Sequence, residues 1–527
     1  MSTPPTSPTP PTPPDAEPHR LEAQRRQNRD AVAKLGLNPY GKRTEGLVEI
    51  SAARALQSDQ ADAAHAAAGK EPPPGHTDPR PQATVAGRVV LHRDNGKLVW
   101  MSLRDRSGDV QIAISQRDCS PGGFQLAKLT DLGDVLVVSG RVTKTRTGEI
   151  TVWASDIQPA SKSILPPPEK HAGLQDVEIR YRQRYVDLWA NPETMKTLEL
   201  RSAIVSRVRR FMEGRQYIEV ETPMLQTLAG GAAARPFVTH MRALDIDLYL
   251  RIAPELYLKR LLVGGMPRVF EINRNFRNEG LDKQHNPEFT MIEAYHAFGD
   301  VSTVMELTES IVRDAAAFVA EKLNGPGSPA VLPFGDLSID YSRPFDRVTY
   351  AELFEKGLGF PMSDSRKARQ AAIDRHILPE AEVKKLDDVL VVNELFEEIA
   401  ERAVDASRPT FITEYPAALS PLTRPKADNP AVAERSDLFI AHMEIAPHYT
   451  ELNDPDIQEA KFREQLKGLD DEESTFRTFD EDFVRALKVG MPPAGGMGLG
   501  IDRLVMLLTN QKSIRDVMLF PMMRPEV

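Results

Sequence analysis

The sequence is poor in the residues that mark secreted, membrane-spanning and cysteine-rich proteins. Cys119 is the only cysteine among 527 residues, which excludes internal disulfides and any cysteine-based metal cluster and fits a reducing cytoplasm. No apolar run approaches the roughly 20 residues that a membrane-spanning helix needs. The composition, 41% hydrophobic and 27% charged with only 6% aromatic residues, is typical of a globular protein. We therefore predict a soluble, cytoplasmic protein with no membrane association.

The chain also lacks an excess of positive charge and a signal peptide. Its formal net charge of −10 argues against an indiscriminately basic nucleic-acid binder, so any RNA contact must be local. Residues 1–18 are rich in proline, threonine and serine, with neither a basic start nor an apolar core. This composition predicts a disordered tail. The remaining length is too great for one ordinary core and predicts two or three domains.

Two common nucleotide-binding motifs are missing as well. No Gly-x-Gly-x-x-Gly fingerprint opens a helix after a strand, and no Gly-x-x-x-x-Gly-Lys loop is present. From residue 176 to 527, helical and extended patterns mix irregularly, with a strand predicted over 217–225 and a helix over 379–406. This mixture favours an antiparallel sheet flanked by helices in an α+β multidomain chain. A nucleotide bound here would be held by something other than a Rossmann fold or a P-loop.

Residues 19–82 begin with a basic helix and continue as a connecting segment. The helical pattern over 19–37 has a narrow apolar stripe, and several basic side chains fall off that stripe: Arg20, Arg26, Arg29 and Lys34. Such a helix can lie against nucleic-acid phosphates. A solvated surface helix explains the same pattern almost equally well, so both interpretations stay open.

Five short extended patterns separated by glycine-containing turns occupy residues 83–160. They run over 84–92, 98–105, 110–115, 135–143 and 150–157, with a helical piece near 124–129. This arrangement predicts a five-stranded OB-type barrel that binds single-stranded nucleic acid. Trp100 can then stack on a base and Gln111 can read a base edge, although a barrel-core position is the alternative for Trp100. Residues 161–175, with three consecutive prolines, predict a stiff linker.

The segment 270–295 has the pattern of two strands around a polar turn, and its side chains concentrate charge on one face. Alternation places these residues together: Glu271, Asn273, Asn275 and Arg277 on the first strand, and Phe289, Met291, Glu293 and Tyr295 on the second. A strand covered by a core would carry apolar residues there, so the pattern predicts a polar ligand. A structural salt-bridge network is the alternative.

Near the C-terminus, glycine occurs at every second position of a predicted strand, at Gly496, Gly498 and Gly500. The alternation removes side chains from one strand face, so a flat ring can approach the backbone. The helix that follows presents Arg503. Together with Arg277 it supplies two fixed positive charges suited to a polyphosphate.

These segments, in this order, resemble the class II aminoacyl-tRNA synthetases of subclass IIb, and in detail the lysyl-tRNA synthetases. Within the catalytic domain at 176–527, motif 1 corresponds to about 197–225, motif 2 to about 268–296, a helical insertion to about 300–410 and motif 3 to about 495–510. The resemblance implies an OB-fold anticodon-binding barrel followed by a catalytic domain on an antiparallel β-sheet. It also implies a homodimer, with the motif 1 proline Pro223 at the interface.

The resemblance further implies ATP-dependent ligation of L-lysine to tRNA(Lys) through a lysyl-adenylate, with release of AMP and pyrophosphate. Arg277 and Arg503 are the implied catalytic residues. The implied lysine-binding residues are Gly231, Glu255, Arg277, Glu293, Tyr295, Tyr449 and Glu451. The implied ATP-binding residues are Arg277, Glu279, His285, Asn286, Phe289, Glu444, Gly500 and Arg503. Mg2+ is implied at Asp437 and Glu444, and anticodon contacts are implied at Arg93, Trp100 and Gln111.

Physical chemistry favours lysine as the amino acid. The carboxylates of Glu293 and Glu451 and the phenol of Tyr295 suit an ammonium group. A neutral competitor would leave buried carboxylates unpaired, which costs binding free energy.

The sequence departs from the family pattern at two positions. Asp437 stands where glutamate is usual, and Pro447 stands where asparagine is usual. Proline removes a polar side chain and a backbone donor beside the substrate. Two alternative functions stay open: a synthetase-like lysine ligase that acts on a non-tRNA acceptor, and a non-catalytic RNA-binding regulator, which Pro447 favours.

Overall fold

The computed structural model describes residues 20–69, 77–167, 174–232, 234–465 and 479–526. The predicted tail at 1–18 lies outside these ranges, as does part of the predicted linker at 161–175. The chain divides into two compact units, one ending at Met195 and the other beginning at Lys196. Within the described ranges, no helix combines the length and the apolar content needed to cross a membrane.

A closed five-stranded barrel organises the first unit. Its strands are β1 (Gln82–Asp94), β2 (Leu98–Asp105), β3 (Gly108–Ser115), β4 (Val135–Lys144) and β5 (Ile150–Ser161), in the order β1-β2-β3-β5-β4. The helices described in this unit are α1 (Arg20–Lys34), α2 (Ile50–Ala55), α3 (Asp59–Ala67), α4 (Pro121–Leu129), α5 (Val177–Arg182) and α6 (Arg184–Ala190). The predicted OB-fold barrel is confirmed.

Alternating side chains explain how β2 contributes to the barrel core. Val99, Met101 and Leu103 are buried among the apolar residues of that core. Trp100 is only partly buried and lies outside it, because successive residues of a strand point to opposite faces. The structure therefore excludes a barrel-core position for Trp100.

Helix α1 is tied to the barrel unit through one of its arginines. Arg25 is buried, and its guanidinium donates hydrogen bonds to the carbonyl oxygens of Leu132 and Ser163 at 2.9 and 3.1 Å. Arg26 pairs with Glu22 on the same helix. Arg25 and Arg26 thus already have partners within the protein. Contact between this helix and RNA stays a prediction.

An eight-stranded sheet organises the second unit. The strands of this unit are β6 (Ile218–Glu219), β7 (Leu225–Gln226), β8 (Val238–Met241), β9 (Ile246–Leu250), β10 (Arg268–Phe276), β11 (Glu288–Ala297), β12 (Val331–Phe334), β13 (Leu337–Asp340), β14 (Asp346–Thr349), β15 (Thr410–Thr413), β16 (Arg435–Ile440), β17 (Met443–Thr450) and β18 (Ala494–Gly500). The large sheet has the order β14-β15-β16-β17-β18-β11-β10-β6 and is antiparallel except at its outermost pairs. The predicted antiparallel sheet is confirmed.

Helices pack against both faces of this sheet. The helices of the unit are α7 (Pro192–Gly214, which begins at the unit boundary), α8 (Glu255–Val263), α9 (Val301–Asn324), α10 (Tyr350–Leu358), α11 (Ser365–Asp374), α12 (Glu380–Val383), α13 (Asp388–Leu395), α14 (Pro455–Gln465), α15 (Glu481–Gly490) and α16 (Ile501–Leu508). Phe270, Ile292 and Ala294 lie on the sheet face that packs in the same apolar core as α9. Register then places Glu271 and Glu293 on the opposite face.

Two elements differ from the sequence predictions. The strand predicted over 217–225 consists of the short strands β6 and β7, which pair with different sheets. Pro223, which lacks a backbone N–H, lies between them and cannot continue the ladder. The helix predicted over 379–406 is broken into α12, α13, a π-helical turn at 396–400 and a 3₁₀ turn at 401–403. The break lets Val383 and Leu395 pack in one apolar cluster.

Candidate active site

A cavity of about 260 Å³ opens on the polar face of the large sheet. It is lined by all the residues that the family resemblance assigned to ATP: Arg277, Glu279, His285, Asn286, Phe289, Glu444, Gly500 and Arg503. These residues come from three separate segments of the chain, so the fold brings them together. Their role in binding ATP stays a prediction, which this geometry supports.

The polar face of β10 combines a structural network with unpaired groups. The Glu271 carboxylate accepts hydrogen bonds from the Arg251 guanidinium and the Thr222 hydroxyl, each at 2.7 Å. Asn275 is fully buried, yet among the described residues neither its side-chain oxygen nor its nitrogen has a partner. Since buried polar groups are normally hydrogen-bonded, the Asn275 amide marks a place for a polar ligand or water. Both sequence interpretations therefore apply, each to a different part of the strand.

Arg277 and Arg503 reach the cavity from two different elements. The Arg277 guanidinium lies 5.1 Å from the centre of the Phe289 ring, a cation–π arrangement. Arg503, in the first turn of α16, donates a hydrogen bond to the Glu444 carbonyl oxygen at 2.6 Å, and its other terminal nitrogen lies 3.0 Å from His285 Nε2. Two guanidinium groups fixed at one cavity wall suit the oxygens of a polyphosphate.

The start of α16 is fixed by contacts that sequence reasoning missed. Asp502 is buried, and its carboxylate accepts a hydrogen bond from the Thr290 backbone N–H at 2.7 Å and forms an ion pair with Arg201. Arg201 lies on α7, Thr290 on β11 and Asp502 on α16. Elements of all three sequence motifs thus meet at one carboxylate, which positions the adjacent Arg503. An Asp-Arg pair in a sequence looks like an ordinary surface pair and gives little signal.

The glycines of β18 make room for side chains of the neighbouring strands. A Cβ on Gly496 would lie 1.9 Å from Glu451 Oε1 and 2.6 Å from Tyr295 Cε1. A Cβ on Gly498 would lie 3.0 Å from the end of Met291. The bare strand face predicted from the glycine spacing is therefore occupied by ring and carboxylate atoms of the adjoining site.

Glu293 and Tyr295 are buried together on β11. The Tyr295 hydroxyl donates a hydrogen bond to the Glu293 carboxylate at 3.3 Å. Burial raises the pKa of Glu293 to about 8, and the nearby Glu255 carboxylate contributes to the increase. Gly231 lies against Glu255, where a Cβ would be 3.1 Å from the Glu255 Cβ. A buried carboxylate with so little compensation favours a cationic ligand.

Sequence reasoning does not single out Lys259, yet its ammonium lies among the predicted lysine-binding carboxylates. Its side chain is fully buried, and Nζ lies 2.5 Å from Glu255 Oε1 and 2.5 Å from Glu451 Oε2. The spacing of 255 and 259 puts both on one face of α8. A lysine between Leu258 and Leu262 on an apolar helix face was the available signal, but its contact with Glu451 depends on the tertiary fold.

Asp437 and Glu444, the predicted metal ligands, lie on β16 and β17. Both Asp437 oxygens accept hydrogen bonds from the Arg435 guanidinium, at 3.1 and 2.6 Å. Glu444 is exposed within the cleft, yet desolvation by the cleft walls, followed by the charge of Asp437, raises the pKa of its carboxyl group. Among the described residues no cluster of three or more metal-ligating side chains occurs. Glu444 lines the cavity, whereas Asp437 is buried on the neighbouring strand. Mg2+ held partly by substrate phosphates needs only one or two carboxylates, so this pair of carboxylates fits the ion.

Pro447, the second departure from the family pattern, lies opposite Asp437 in the strand register and lines the cavity. The neighbouring His448 is fully buried, and its ring nitrogens lie 3.0 Å from the Ser436 carbonyl oxygen and 2.9 Å from the Thr308 hydroxyl. Burial lowers the pKa of His448 to about 4, so the ring is neutral at physiological pH. Both nitrogens are engaged, and His448 does not replace the asparagine that is usual at 447.

The predicted anticodon residues share the outer face of the barrel. Arg93 lies opposite Trp100 across β1 and β2, and Gln111 on β3 points to the same face. Trp153 on β5 adds a second indole, with its ring centroid 6.4 Å from that of Trp100 in an edge-to-face arrangement. Sequence reasoning missed Trp153, although it lies between the apolar Val152 and Ala154 in an extended pattern, where alternation indicates an outward side chain.

Comparison with known proteins identifies the family. The family model described as tRNA synthetases class II (D, K and N) matches residues 176–524, and an OB-fold nucleic acid binding domain matches residues 83–160. The lysine--tRNA ligase of Pelotomaculum thermopropionicum is 46% identical over 444 residues, which cover 84% of this chain and 86% of that protein. The chain belongs to the lysyl-tRNA synthetase family.

Other lysyl-tRNA synthetases extend the match along the chain. The lysine--tRNA ligase of Magnetococcus marinus is 43% identical over 509 residues, or 96% of this chain and 97% of that protein. The lysine--tRNA ligase of Escherichia coli strain K12 is 45% identical over 453 residues, or 84% of this chain and 86% of that protein. Lysyl-tRNA synthetases of this class depend on ATP, and Mg2+ is typical of them.

Proposed function

We propose that the chain ligates L-lysine to tRNA(Lys), forming lysyl-adenylate from lysine and ATP and then transferring the lysyl group to the terminal ribose of the tRNA. One observation carries this proposal. A cavity walled by Arg277 and Arg503 adjoins the buried carboxylates of Glu293 and Glu451 on one face of the sheet. The arginines suit a nucleoside triphosphate, and the carboxylates suit the ammonium groups of lysine.

In the first step, a carboxylate oxygen of lysine attacks the α-phosphorus of ATP, and the bond to pyrophosphate breaks. A carboxylate is already a nucleophile at neutral pH, so positioning and charge neutralisation matter more than a general base. Arg277 spans the lysine carboxylate and the α-phosphate, while Arg503 holds the γ-phosphate. Phe289 stacks on adenine. Glu279, His285, Asn286 and the bare backbone at Gly500 complete the ATP site.

The amino acid is selected by charge. Glu255 receives the α-ammonium of lysine, and Glu293, Tyr295 and Glu451 surround its side-chain ammonium, with Gly231 and Tyr449 beside them. A neutral side chain of similar length would leave buried carboxylates unpaired, which is how a polar site achieves large discrimination. Pro447 offers no polar side chain, so recognition depends on the carboxylates.

Asp437 and Glu444 would hold Mg2+ together with the phosphates of ATP. When bound, the ion supplies neutralisation of the phosphate charge that develops during adenylate formation. The chain contributes hard oxygen donors, and the Arg435 guanidinium keeps the Asp437 carboxylate oriented.

The barrel would recognise the tRNA through a U-rich anticodon. Trp100 stacks on a base, Gln111 reads a base edge, and Arg93 contacts the backbone of the tRNA. Trp153 extends the stacking surface beside Trp100. The cytoplasm, where tRNA charging supplies translation, is the compartment in which we expect this reaction.

We infer that the working form is a homodimer joined near motif 1. Large apolar side chains are exposed in quick succession along this part of the chain: Ile218, Met224, Leu225, Leu228, Val238, Met241, Leu244 and Ile246. Apolar residues concentrated in this way on a surface mark a protein–protein interface. The proline implied at the family interface, Pro223, lies in the same stretch.

ATP–pyrophosphate exchange with each proteinogenic amino acid, followed by charging of tRNA(Lys), tests the proposed function. We expect exchange with lysine alone and transfer of lysine to tRNA(Lys). Exchange without transfer to tRNA would favour the ligase that uses another acceptor. A folded protein with no exchange for any amino acid would favour the RNA-binding regulator.

A further inference from the structure

Helix α8 buries a lysine ammonium inside the protein. Leu256, Leu258 and Leu262 face inward as expected for an amphipathic helix, and Lys259 is as inaccessible as they are, with a fully buried side chain. Lysine is almost never fully buried unless it is paired, because removing an ammonium group from water is costly. The buried ammonium of Lys259 must therefore be stabilised by the groups that it contacts.

The partners of Lys259 are two carboxylates to which we have assigned lysine recognition. Nζ lies 2.5 Å from Glu255 Oε1 and 2.5 Å from Glu451 Oε2. Glu255 belongs to the first turn of α8, whereas Glu451 follows β17, so the ammonium joins two separate elements. Glu451 Oε1 occupies space that the missing Cβ of Gly496 leaves free, 1.9 Å from where that atom would lie. These contacts leave each carboxylate little freedom to move.

The charges of the site balance only when this internal ammonium is counted. Glu255, Glu293 and Glu451 supply three negative charges when ionised, and Lys259 supplies one positive charge, which leaves a deficit of two positive charges. Lysine carries two ammonium groups, and its own carboxylate is assigned to Arg277. The ligand therefore supplies the missing charge, whereas an amino acid with a neutral side chain leaves one buried carboxylate unpaired.

We propose that Lys259 is a positioning residue that fixes Glu255 and Glu451 and sets the charge of the site so that it accepts an amino acid with two ammonium groups. This inference rests on the proposed lysine ligation. Pairing raises the pKa of Lys259 above its usual value despite burial, so the group stays charged. Burial raises the pKa of Glu451, and Lys259 opposes that increase.

Lys259→Met tests this role because methionine keeps the length and the apolar stem but removes the charge. We expect the KM for lysine in ATP–pyrophosphate exchange to rise on the order of ten- to a hundredfold, because one partner of a buried charge pair is lost. The KM for ATP should stay close to the wild-type value. Lys384→Met is a matched control, since Lys384 pairs with Glu380 at the same i,i+4 spacing on an exposed helix.

The pH profile separates positioning from a purely structural role. Glu293, Tyr295 and Tyr449 are titratable groups near the ammonium and its two carboxylates. Besides burial, the negative charge of Glu255 or Glu451 contributes to raising the pKa of each of them. Without Lys259, proton loss from Glu451 becomes harder. The decline in lysine affinity at low pH should therefore begin at a higher pH in Lys259→Met. Lys259→Arg restores the charge and should restore the wild-type pH profile, even if its KM is higher.

The outcomes distinguish this inference from the proposed function. Lysine-specific exchange by the wild-type protein, combined with an unchanged or lower KM for lysine in Lys259→Met, would overturn the positioning role and leave the function intact. Wild-type protein without lysine exchange would instead remove the proposed function. If thermal unfolding shows that Lys259→Met does not fold, Lys259→Gln keeps hydrogen-bond donors without charge. A wild-type KM and pH profile in that variant would contradict the proposal.

Discussion

Arg277 acts on both parts of the candidate site. Desolvation raises the pKa of Glu293 and of Glu444, and the positive charge of Arg277 opposes that increase at both groups. We expect Arg277→Ala to reduce lysine-dependent ATP–pyrophosphate exchange on the order of a hundred- to a thousandfold, because a fixed donor to the developing phosphate charge is lost. The fold should persist, since the guanidinium lines a cavity.

The control for this prediction lies on β10, the strand that ends just before Arg277. Arg274 pairs with Glu288 and has a side chain 43% exposed, so Arg274→Ala removes an arginine without touching the cavity lining. Lysine-dependent ATP–pyrophosphate exchange measures the activity of both variants, and circular dichroism shows whether each variant is folded. Near-normal exchange in Arg277→Ala would withdraw its catalytic assignment.

The pKa of Glu293 leads to a pH prediction with a defined sign. Burial raises this pKa to about 8, so below that pH the carboxyl group of the free protein increasingly carries a proton and is neutral. A neutral carboxyl cannot pair with the lysine ammonium, and lysine affinity should be highest above about pH 8 and decrease as the pH falls. The KM for lysine measured from about pH 6 to pH 9 checks this, with the KM for ATP as an internal reference. A pH-independent KM for lysine would show that Glu293 is ionised before lysine binds.

At the scale of elements, we expect the outer barrel face formed by β2, β3 and β5 to bind the tRNA. Trp100→Ala and Trp153→Ala should each lower kcat/KM for tRNA charging by roughly tenfold, since stacking of one base contributes about 1–3 kcal/mol. Lysine-dependent exchange needs no anticodon and should be unchanged. Trp100→Phe keeps an aromatic ring and should retain most of the charging activity. Equal losses in exchange and charging would mark Trp100 as a structural residue.

Features that depend on local sequence patterns are predictable from the sequence, whereas features that depend on contacts between residues far apart in the chain are not. The glycine spacing of β18 and the five extended patterns between glycine-containing turns are local, so the bare strand face and the five-stranded barrel follow directly from them. The salt-bridge network at Glu271 and the ammonium of Lys259 depend on partners far along the chain. The broken helix at 379–406 likewise depends on a cluster built from several elements. Periodicity alone therefore indicates which residues face a site, but not which of them are already paired.

At the scale of the whole molecule, the net charge bears on how tRNA binds, and the exposed apolar residues bear on how subunits associate. A net charge of −10 cannot attract tRNA generally, so binding must depend on local groups such as Arg93 beside Trp100. Apolar surface is concentrated elsewhere, between 218 and 246. That stretch includes β7, β8 and the first residue of β9, and these three strands form a small sheet next to the loop carrying Gly231. An interface there would support the loop that adjoins Glu255.

The homodimer is the prediction that belongs to this scale. Leu225 is 50% exposed and lies two residues from Pro223, so Leu225→Asp places a charge in the proposed interface and should shift the protein from dimer to monomer in sedimentation velocity. Exchange activity should fall with dimer content, because the motif 1 segment and the adjoining site loop lose their support. Leu390→Asp alters a comparably exposed leucine (40%) on α13 and should stay dimeric and active. If Leu225→Asp remains a dimer, the subunits associate through another surface, and the exposed residues between 218 and 246 need a different partner.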